Sequence, residues 1–402
     1  MHRDVQRRMM RGFLFLLTAL GTLAAASGAQ ANFPACVATL KKAAVRAGVH
    51  PTIVNRALGI ASPDEKVLRL SQVQPEFDIP IWDYLAALVD EQRVRDGRAM
   101  MQRYDGILRA AEQRFGVDRH VIAAVWGVES NYGREMGEYF LPHALATLAC
   151  AGESRTRFWR SELLGALGLV QRRDLALEKL YGSWAGAFGQ TQFMPSAYRK
   201  FAVDFDGDGR RDLVGSVADA LGSTANYLRR AKWQPGEPWM IEVKVPPAYA
   251  GPTGRRNRMP LAAWARYGIS RADGKPLGEG GAAGLLLPAG PAGPGFIVFP
   301  NFDAIHAYNQ AESYAIAIAH LADRLAGMPA LRTPWPTDDP GLSRAERADL
   351  QRLLIAKGYL AGKPDGKIGP DTRAAIAAAE RKLGWPETGR AGQKIYRALG
   401  GR

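Results

Sequence analysis

The sequence lacks a membrane-spanning run at its N-terminus, where the apolar stretch 12–23 is too short to cross a bilayer comfortably. Four arginines precede this stretch, and the small-residue site A-Q-A follows it at 29–31. This order predicts a secretory signal peptide over residues 1–31. Because the residues before Cys36 do not form a lipoprotein pattern, we expect an exported protein without a membrane anchor that begins near Asn32.

Cysteine is also scarce, with only Cys36 and Cys150 among 402 residues. An exported protein meets an oxidising compartment, and such compartments allow disulfides to persist. We therefore predict one disulfide that ties the N-terminal helix to a region beyond residue 133. The alternative is a pair of buried thiols.

Acidic residues are fewer than basic ones: the sequence has 39 Asp and Glu and 53 Lys and Arg, for a formal net charge of +14. A basic surface suits an anionic polymer. Export argues against nucleic acid as that polymer. The alternative is that the charge only reflects an arginine-rich proteome.

An apolar helix is predicted over 118–133, because valines recur at helical spacing between Asp118, a capping residue, and Gly133, a stop. Glu129 falls in the last turn of this helix. Desolvation and the negative end of the helix dipole are both expected to raise its pKa. A carboxylic acid that stays protonated near neutral pH suits general acid catalysis of glycosidic cleavage. The alternative is a solvated Glu at a frayed helix end.

A glycine-rich segment at 182–195 alternates small residues with aromatic ones and includes Gln190 and Gln192. It predicts a tight backbone lining a groove, with amides that can hydrogen-bond to sugar hydroxyl or acetamido groups. The alternative is a glycine-rich contact between two helices.

Together, E-S-N-Y-G at 129–133 and G-S-W-A-G-A-F-G-Q-T-Q-F-M-P at 182–195 resemble the lytic murein transglycosylases of the membrane-bound B type. These are lysozyme-like enzymes that cut bacterial peptidoglycan. The similarity runs from about 33 to 327 and includes A-Y-N-Q-A-E-S-Y at 307–314. Further along, D-G-K-I-G-P-D-T resembles part of the three-helix peptidoglycan-binding domain appended to many cell-wall enzymes, although Ala379-Glu380 replaces that family's frequent Phe-Gln.

The resemblance implies a mainly α fold, with a lysozyme-like helical catalytic domain over 32–332. Alternating and Gly/Pro-dense segments indicate a small β-rich insert at about 234–299. The Pro-rich stretch 333–340 is predicted to be a linker, and 341–402 a three-helix peptidoglycan-binding module. We expect a periplasmic monomer whose partner is the peptidoglycan glycan strand.

Only one carboxylate, Glu129, is well placed for catalysis, although most glycosidases use two. Glu135 and Glu138 follow in a polar loop, and Glu153 and Glu162 are expected on solvated surfaces. The resemblance implies a single acid/base and no cofactor for catalysis. Glu129 would protonate the oxygen between N-acetylmuramic acid and N-acetylglucosamine and then deprotonate the muramyl 6-hydroxyl, which closes on C1 to form a 1,6-anhydro end. The alternatives are a hydrolytic muramidase and a non-catalytic wall-binding scaffold.

The family pattern also implies residues that contact the glycan. Ser183 and Gln192 would contact the sugar near the cleavage point, and Phe193 would line a subsite. Four further residues would shape the groove, the last of them nearest Glu129: Tyr227, Tyr308, Asn309 and Tyr314. For Tyr227 and Tyr308 the alternative is core packing.

An acidic loop at 204–212 has the alternating spacing of an EF-hand calcium loop. The position that normally holds Glu is Gly215, and the next acid comes later, as in the lengthened loop of the resembled family. We predict one structural Ca²⁺ at five residues: Asp204, Asp206, Asp208, Arg210 and Asp219. The alternative is an empty acidic turn.

Overall fold

A computed structural model describes residues 23–72 and 79–402, with side chains from residue 32 onward. Most of the predicted signal peptide and the irregular segment around Pro75 lie outside these residues. Within the described part of the chain, no helix is both long and apolar enough to cross a membrane.

The described chain is mainly helical, as the sequence predicts. Before the sheet the helices are α1 Leu23–Arg46, α2 Pro51–Ala57, α3 Glu65–Leu70, α4 Ile81–Leu88, α5 Glu91–Arg103, α6 Asp105–Phe115, α7 Arg119–Ser130, α8 Leu141–Ala151, α9 Thr156–Gln171, α10 Pro195–Phe201 and α11 Val217–Arg230. After it come α13 Pro300–Asn309 and α14 Glu312–Leu325, and then the C-terminal α15 Arg344–Ala356, α16 Pro370–Lys382 and α17 Gln393–Ala398. The short helix α12, Leu261–Arg266, lies within the insert.

Two large apolar cores lie before the predicted linker. The first is built around α7 and α14, whose small and apolar side chains let the two helices pack closely. The second joins α1, α8 and α9 to the glycine-rich segment. Tyr227 and Tyr308 pack against both cores, so they mark the junction between them.

A five-stranded antiparallel sheet forms the β-rich insert. Its strands are β3 Met240–Lys244, β4 Gly254–Pro260, β5 Ser270–Arg271, β6 Ala282–Leu286 and β7 Gly295–Val298. They lie side by side in the order β4–β6–β7–β3–β5. The sheet packs on a small separate apolar core that contains the buried Trp264. The Trp264 indole N–H donates to the Ala283 carbonyl at 2.8 Å. A separate two-stranded ribbon pairs β1, Tyr139–Phe140, with β2, Tyr181–Gly182.

A disulfide links Cys36 on α1 to Cys150 on α8, with the two Cα atoms 5.7 Å apart. It closes a loop of 114 residues that contains the whole of α7. A cross-link over so long a loop restricts the unfolded chain strongly. It therefore favours the arrangement in which the N-terminal helix covers the second core.

The C-terminal helices α15, α16 and α17 enclose their own small core. Ser343 and Glu346 form a capping box at the start of α15. Glu380 is buried and accepts backbone N–H groups from Thr388 at 2.6 Å and Gly389 at 2.8 Å. The residue that departs from the family pattern thus holds the loop that follows α16.

A protonatable carboxyl lies inside the catalytic part of the chain, near the end of α14. Burial raises the pKa of Asp323 to about 7, and the Trp239 indole N–H that donates to its Oδ1 at 3.0 Å only partly offsets this. The folded state therefore holds a proton that the unfolded state releases near pH 4, so stability falls as the pH rises from about 4 to 7.

We expect Asp323→Asn to remove this loss. Relative to the wild type, the free energy of unfolding of the variant should increase by at most about 3 kcal/mol between pH 5 and pH 7.5, since about two pH units of this window lie below the folded-state pKa and each corresponds to about 1.4 kcal/mol. Urea unfolding at the two pH values measures the difference. Burial lowers the pKa of His320 to about 4, so this residue makes stability rise with pH. It is present in both proteins, and its contribution cancels when the two are compared. An equal pH dependence in wild type and variant would contradict the prediction.

Candidate active site

Helix α7 ends sharply beside the predicted catalytic carboxylate. Asp118 caps its start by accepting the His120 N–H at 2.7 Å. At its end Asn131, Tyr132 and Gly133 all adopt left-handed φ angles of 51°, 60° and 83°. The Tyr132 ring folds back over Gly127, where a Cβ would lie only 2.6 Å from its Cζ atom. This termination leaves Glu129 partly exposed on an otherwise buried helix.

Ser130 connects the end of α7 to the glycine-rich segment. Its hydroxyl donates to the Gln190 carbonyl at 2.5 Å and accepts the Gly133 N–H at 2.9 Å. The side chain is only 1% exposed. The two motifs that carry the family resemblance are therefore in direct contact, one residue away from Glu129.

Tyr314 donates a hydrogen bond to Glu129, with Oη to Oε1 at 2.5 Å. Burial, together with the neighbouring charge of Glu129, raises the pKa of Tyr314 well above its ordinary value, so the phenol stays protonated and remains a donor. Tyr308 stacks on Tyr314 with ring centroids 6.3 Å apart and planes at 12°. Burial also raises the pKa of Tyr308.

The other predicted groove tyrosines brace the junction between the two cores. Tyr308 donates to the Thr191 carbonyl at 2.7 Å, and Tyr227 donates to the Ala307 carbonyl at 2.6 Å. Their rings lie 4.7 Å apart. Asn309 is the last residue of α13 and is partly exposed. The row from Tyr227 to Tyr314 thus ends on Glu129.

The predicted sugar contacts of the glycine-rich segment differ in their exposure to solvent. Ser183 is partly exposed, and its Oγ accepts the Ala187 N–H at 3.0 Å. Gln192 has a left-handed φ of 48° and donates from Nε2 to the carbonyls of Met136 at 3.0 Å and Gly189 at 2.7 Å. Phe193 is 2% exposed and packs against Tyr227 and Tyr308, so its buried ring does not line an open subsite as predicted.

The remaining nearby carboxylates are engaged elsewhere. Glu138 pairs with Lys66 at 3.1 Å, and Glu135 pairs with Arg344 at 3.1 Å. Glu153 is exposed, as expected. The expectation of a solvated Glu162 is wrong: it is 2% exposed and accepts the Ser196 N–H at 2.9 Å. Glu162 supplies an acceptor to the otherwise unpaired first turn of α10, a role that its own sequence neighbourhood does not reveal.

The acidic loop brings four carboxylates together: atoms of Asp204, Asp206, Asp208 and Asp219 all lie within 4.8 Å of one another. Asp219 is fully buried at the base of the loop and accepts backbone N–H groups from Phe205 at 2.7 Å and Asp212 at 2.8 Å. Arg210 is exposed, and its N–H donates to Asp208 at 2.8 Å. Four clustered carboxylates repel one another, and a hard cation with oxygen ligands fits such a set.

Residues that the sequence reasoning missed also shape the site. Ser130 is part of E-S-N-Y-G, but nothing in that motif predicts that its hydroxyl bonds to the Gln190 carbonyl. Thr191, which receives the Tyr308 hydrogen bond through its carbonyl, gives no side-chain signal. Glu135 makes contacts with the C-terminal module that join residues more than 200 positions apart, and no local pattern predicts these.

Comparisons with known proteins agree with this geometry. The family model described as "Transglycosylase SLT domain" matches residues 32–323, and a peptidoglycan-binding domain model matches 343–399. The chain belongs to the SLT transglycosylase family. The resemblance and the lysozyme-like helical fold predicted from the sequence are thereby confirmed.

Individual relatives extend the match. Membrane-bound lytic murein transglycosylase B of Escherichia coli strain K12 is 34% identical over 245 residues, which are 60% of this chain and 66% of that protein. The crystal structure of SltB3 from Pseudomonas aeruginosa in complex with NAG-NAM-pentapeptide is 41% identical, with a TM-score of 0.73 over 91% of this chain and 99% of that one. Escherichia coli Slt35 in complex with calcium is 30% identical, with a TM-score of 0.64 over 72% of this chain and 92% of that one.

We expect Tyr314→Phe to lower kcat on peptidoglycan about tenfold or more, because a hydrogen bond to a charged group contributes about 1.5–3 kcal/mol. Release of soluble fragments from purified sacculi measures the change. Tyr267→Phe makes the same chemical change at an exposed tyrosine of the insert and should leave the rate unchanged. An active Tyr314→Phe enzyme would show that Glu129 does not need this donor.

Proposed function

We propose that this protein is a periplasmic lytic transglycosylase that cleaves the β-1,4 bond between N-acetylmuramic acid and N-acetylglucosamine and forms 1,6-anhydro-N-acetylmuramic acid. In this proposal residues 32–332 form the catalytic domain and residues 341–402 bind the cell wall. The linker 333–340 joins the two. Membership of the SLT family and the presence of a peptidoglycan-binding domain support the substrate class.

Glu129 acts as the single acid and base in this proposal. As an acid it protonates the glycosidic oxygen, and as a base it removes the proton from the muramyl 6-hydroxyl, which attacks C1. The bond from C1 to the leaving oxygen breaks, the bond from O6 to C1 forms, and no water is consumed. An attacking group within the substrate has the entropic advantage of an intramolecular reaction.

The observation that carries the proposal is the setting of Glu129 itself. It lies at the end of a buried helix, at the junction of two cores, with a protonated phenol 2.5 Å from its Oε1. Its neighbouring acids Glu135 and Glu138 are tied to cations. Ser183 and Gln192, which we propose as sugar contacts, lie on the segment that Ser130 holds beside it.

We expect wild-type protein to release muropeptides that end in 1,6-anhydro-muramic acid from sacculi, and Glu129→Gln to release none above background. Mass spectrometry of the soluble products measures both results, because a hydrolytic product is heavier by one water. Glu153→Gln makes the same change at an exposed site and should retain activity.

The two alternatives predict different products. Reducing ends from the wild type would identify a hydrolytic muramidase. Binding to sacculi without any release would identify a non-catalytic scaffold. Retained activity in a folded Glu129→Gln variant would remove this residue from the catalytic role.

We also propose that the acidic loop binds one structural Ca²⁺ through Asp204, Asp206, Asp208, the Arg210 position and Asp219. The close approach of the four carboxylates supports this, and the related Slt35 structure is described as a complex with calcium. The ion would hold the loop that connects α10 to α11. It takes no part in the proposed reaction.

Addition of 1 mM Ca²⁺ to chelated protein is expected to raise Tm by about 3 °C, because an ion that binds only the folded state stabilises it by mass action. Differential scanning fluorimetry measures the shift. Asp208→Asn should abolish most of the shift, whereas Glu153→Gln, which removes one exposed charge elsewhere, should retain it. Equal shifts in all three proteins would indicate a general ionic effect and no specific site.

A further inference from the structure

The C-terminal module is docked on the catalytic part of the chain through a buried ion pair. Arg390 makes two hydrogen bonds to Asp83, Nε to Oδ2 at 2.7 Å and Nη2 to Oδ1 at 2.8 Å. Asp83 is only 4% exposed, and Arg347 donates to its carbonyl at 2.9 Å. The backbone approach is close at Gly341, where a Cβ would lie 2.7 Å from the Asp83 Cα. The module is therefore held in a defined orientation.

A second contact of the module falls on the loop that follows the catalytic helix. Arg344 Nη1 lies 3.1 Å from Glu135 Oε1, and Lys367 Nζ lies 3.7 Å from Oε2 of the same carboxylate. The side chains of Arg344 and Glu135 are 25% and 39% exposed, so each pair alone stabilises weakly. Because the Asp83 contact already orients the module, less side-chain entropy is lost when these two cations meet Glu135.

Glu135 also belongs to the hydrogen-bond network around Glu129. Its N–H donates to the Ser130 carbonyl at 2.9 Å, and its Oε1 accepts the Asn131 Nδ2 hydrogen bond at 3.2 Å. The next carbonyl along the loop, that of Met136, accepts from Gln192 at 3.0 Å. One short loop thus connects the module to the end of the catalytic helix and to a proposed sugar contact.

We propose that the C-terminal module is a positioning element of the active site and that it acts on Glu129 and Gln192 through Glu135. Arg344, Lys367 and Glu135 are positioning residues that fix the loop and touch no reacting atom. The inference rests on the proposed function, and it goes beyond wall binding. A module that only tethers the enzyme to the wall would leave the turnover of small soluble fragments unchanged.

The test compares full-length variants on short soluble glycan fragments prepared from sacculi and on intact sacculi. The variants are Glu135→Arg, Arg344→Glu, and the double variant that exchanges the two charges. Lys363→Glu changes charge by the same amount as Arg344→Glu at an exposed loop position of the module. Tm of each protein is measured beside kcat and KM, so that loss of folding is separated from loss of positioning.

We expect each single variant to lower kcat on the soluble fragments about tenfold, because a small misplacement of catalytic groups slows turnover strongly. KM should rise by a smaller factor than kcat falls, since Gln192 is the one proposed glycan contact that the loop positions. The charge exchange should recover only part of the lost kcat, because it re-forms the ion pair between positions 135 and 344 but not the Asn131 hydrogen bond or the Lys367 contact. Lys363→Glu should match wild type.

Single variants that lose activity only on intact sacculi would overturn the inference, because that result describes a tether. Folded single variants with wild-type kcat would overturn it too, as would a charge exchange that restores Tm without raising kcat above that of the single variants. A wild type that releases no anhydro product would instead overturn the proposed function, and the inference with it.

Discussion

The hydroxyl of Ser130 makes the contact on which the arrangement of the active site depends. It joins the end of a largely buried helix to the Gln190 carbonyl of a segment that belongs to the other core. Because the bridge is buried and both of its backbone partners are fixed, the carboxylate and the glycine-rich segment keep one relative position.

The protonation states beside Glu129 follow from the same burial. Tyr314 and Tyr308 are enclosed by α14 and by the junction of the two cores, and their pKa values rise because phenolate is poorly solvated there. They act as fixed neutral donors, one toward Glu129 and one toward Thr191. In the proposed mechanism Glu129 alternates between acid and base, and neighbours that do not exchange protons themselves suit that role.

Local patterns predicted the elements that depend on local physics. The valine spacing of α7 placed Glu129 at the end of a buried helix, and the alternating acids of 204–208 predicted a cluster that the structure brings within 4.8 Å. Contacts between distant residues could not be read in this way. Nothing around Glu162 indicates that it meets the start of α10, and Asp83 and Arg390 are separated by 307 positions. Phe193 resembles a sugar-stacking aromatic in sequence, but the two tyrosines in front of it leave its ring buried.

The left-handed residues around the site have a consequence for engineering the protein. Asn131, Tyr132 and Gln192 adopt φ angles of 51°, 60° and 48° without being glycine, and each such conformation costs about 1 kcal/mol or more. Their side chains, however, make hydrogen bonds to Glu135, Arg93 and Met136 close to Glu129. A glycine at any of them would relax the backbone and delete one of those contacts. Thermostability and catalytic geometry therefore compete at the same three positions, and selection for heat resistance has to act elsewhere in the chain.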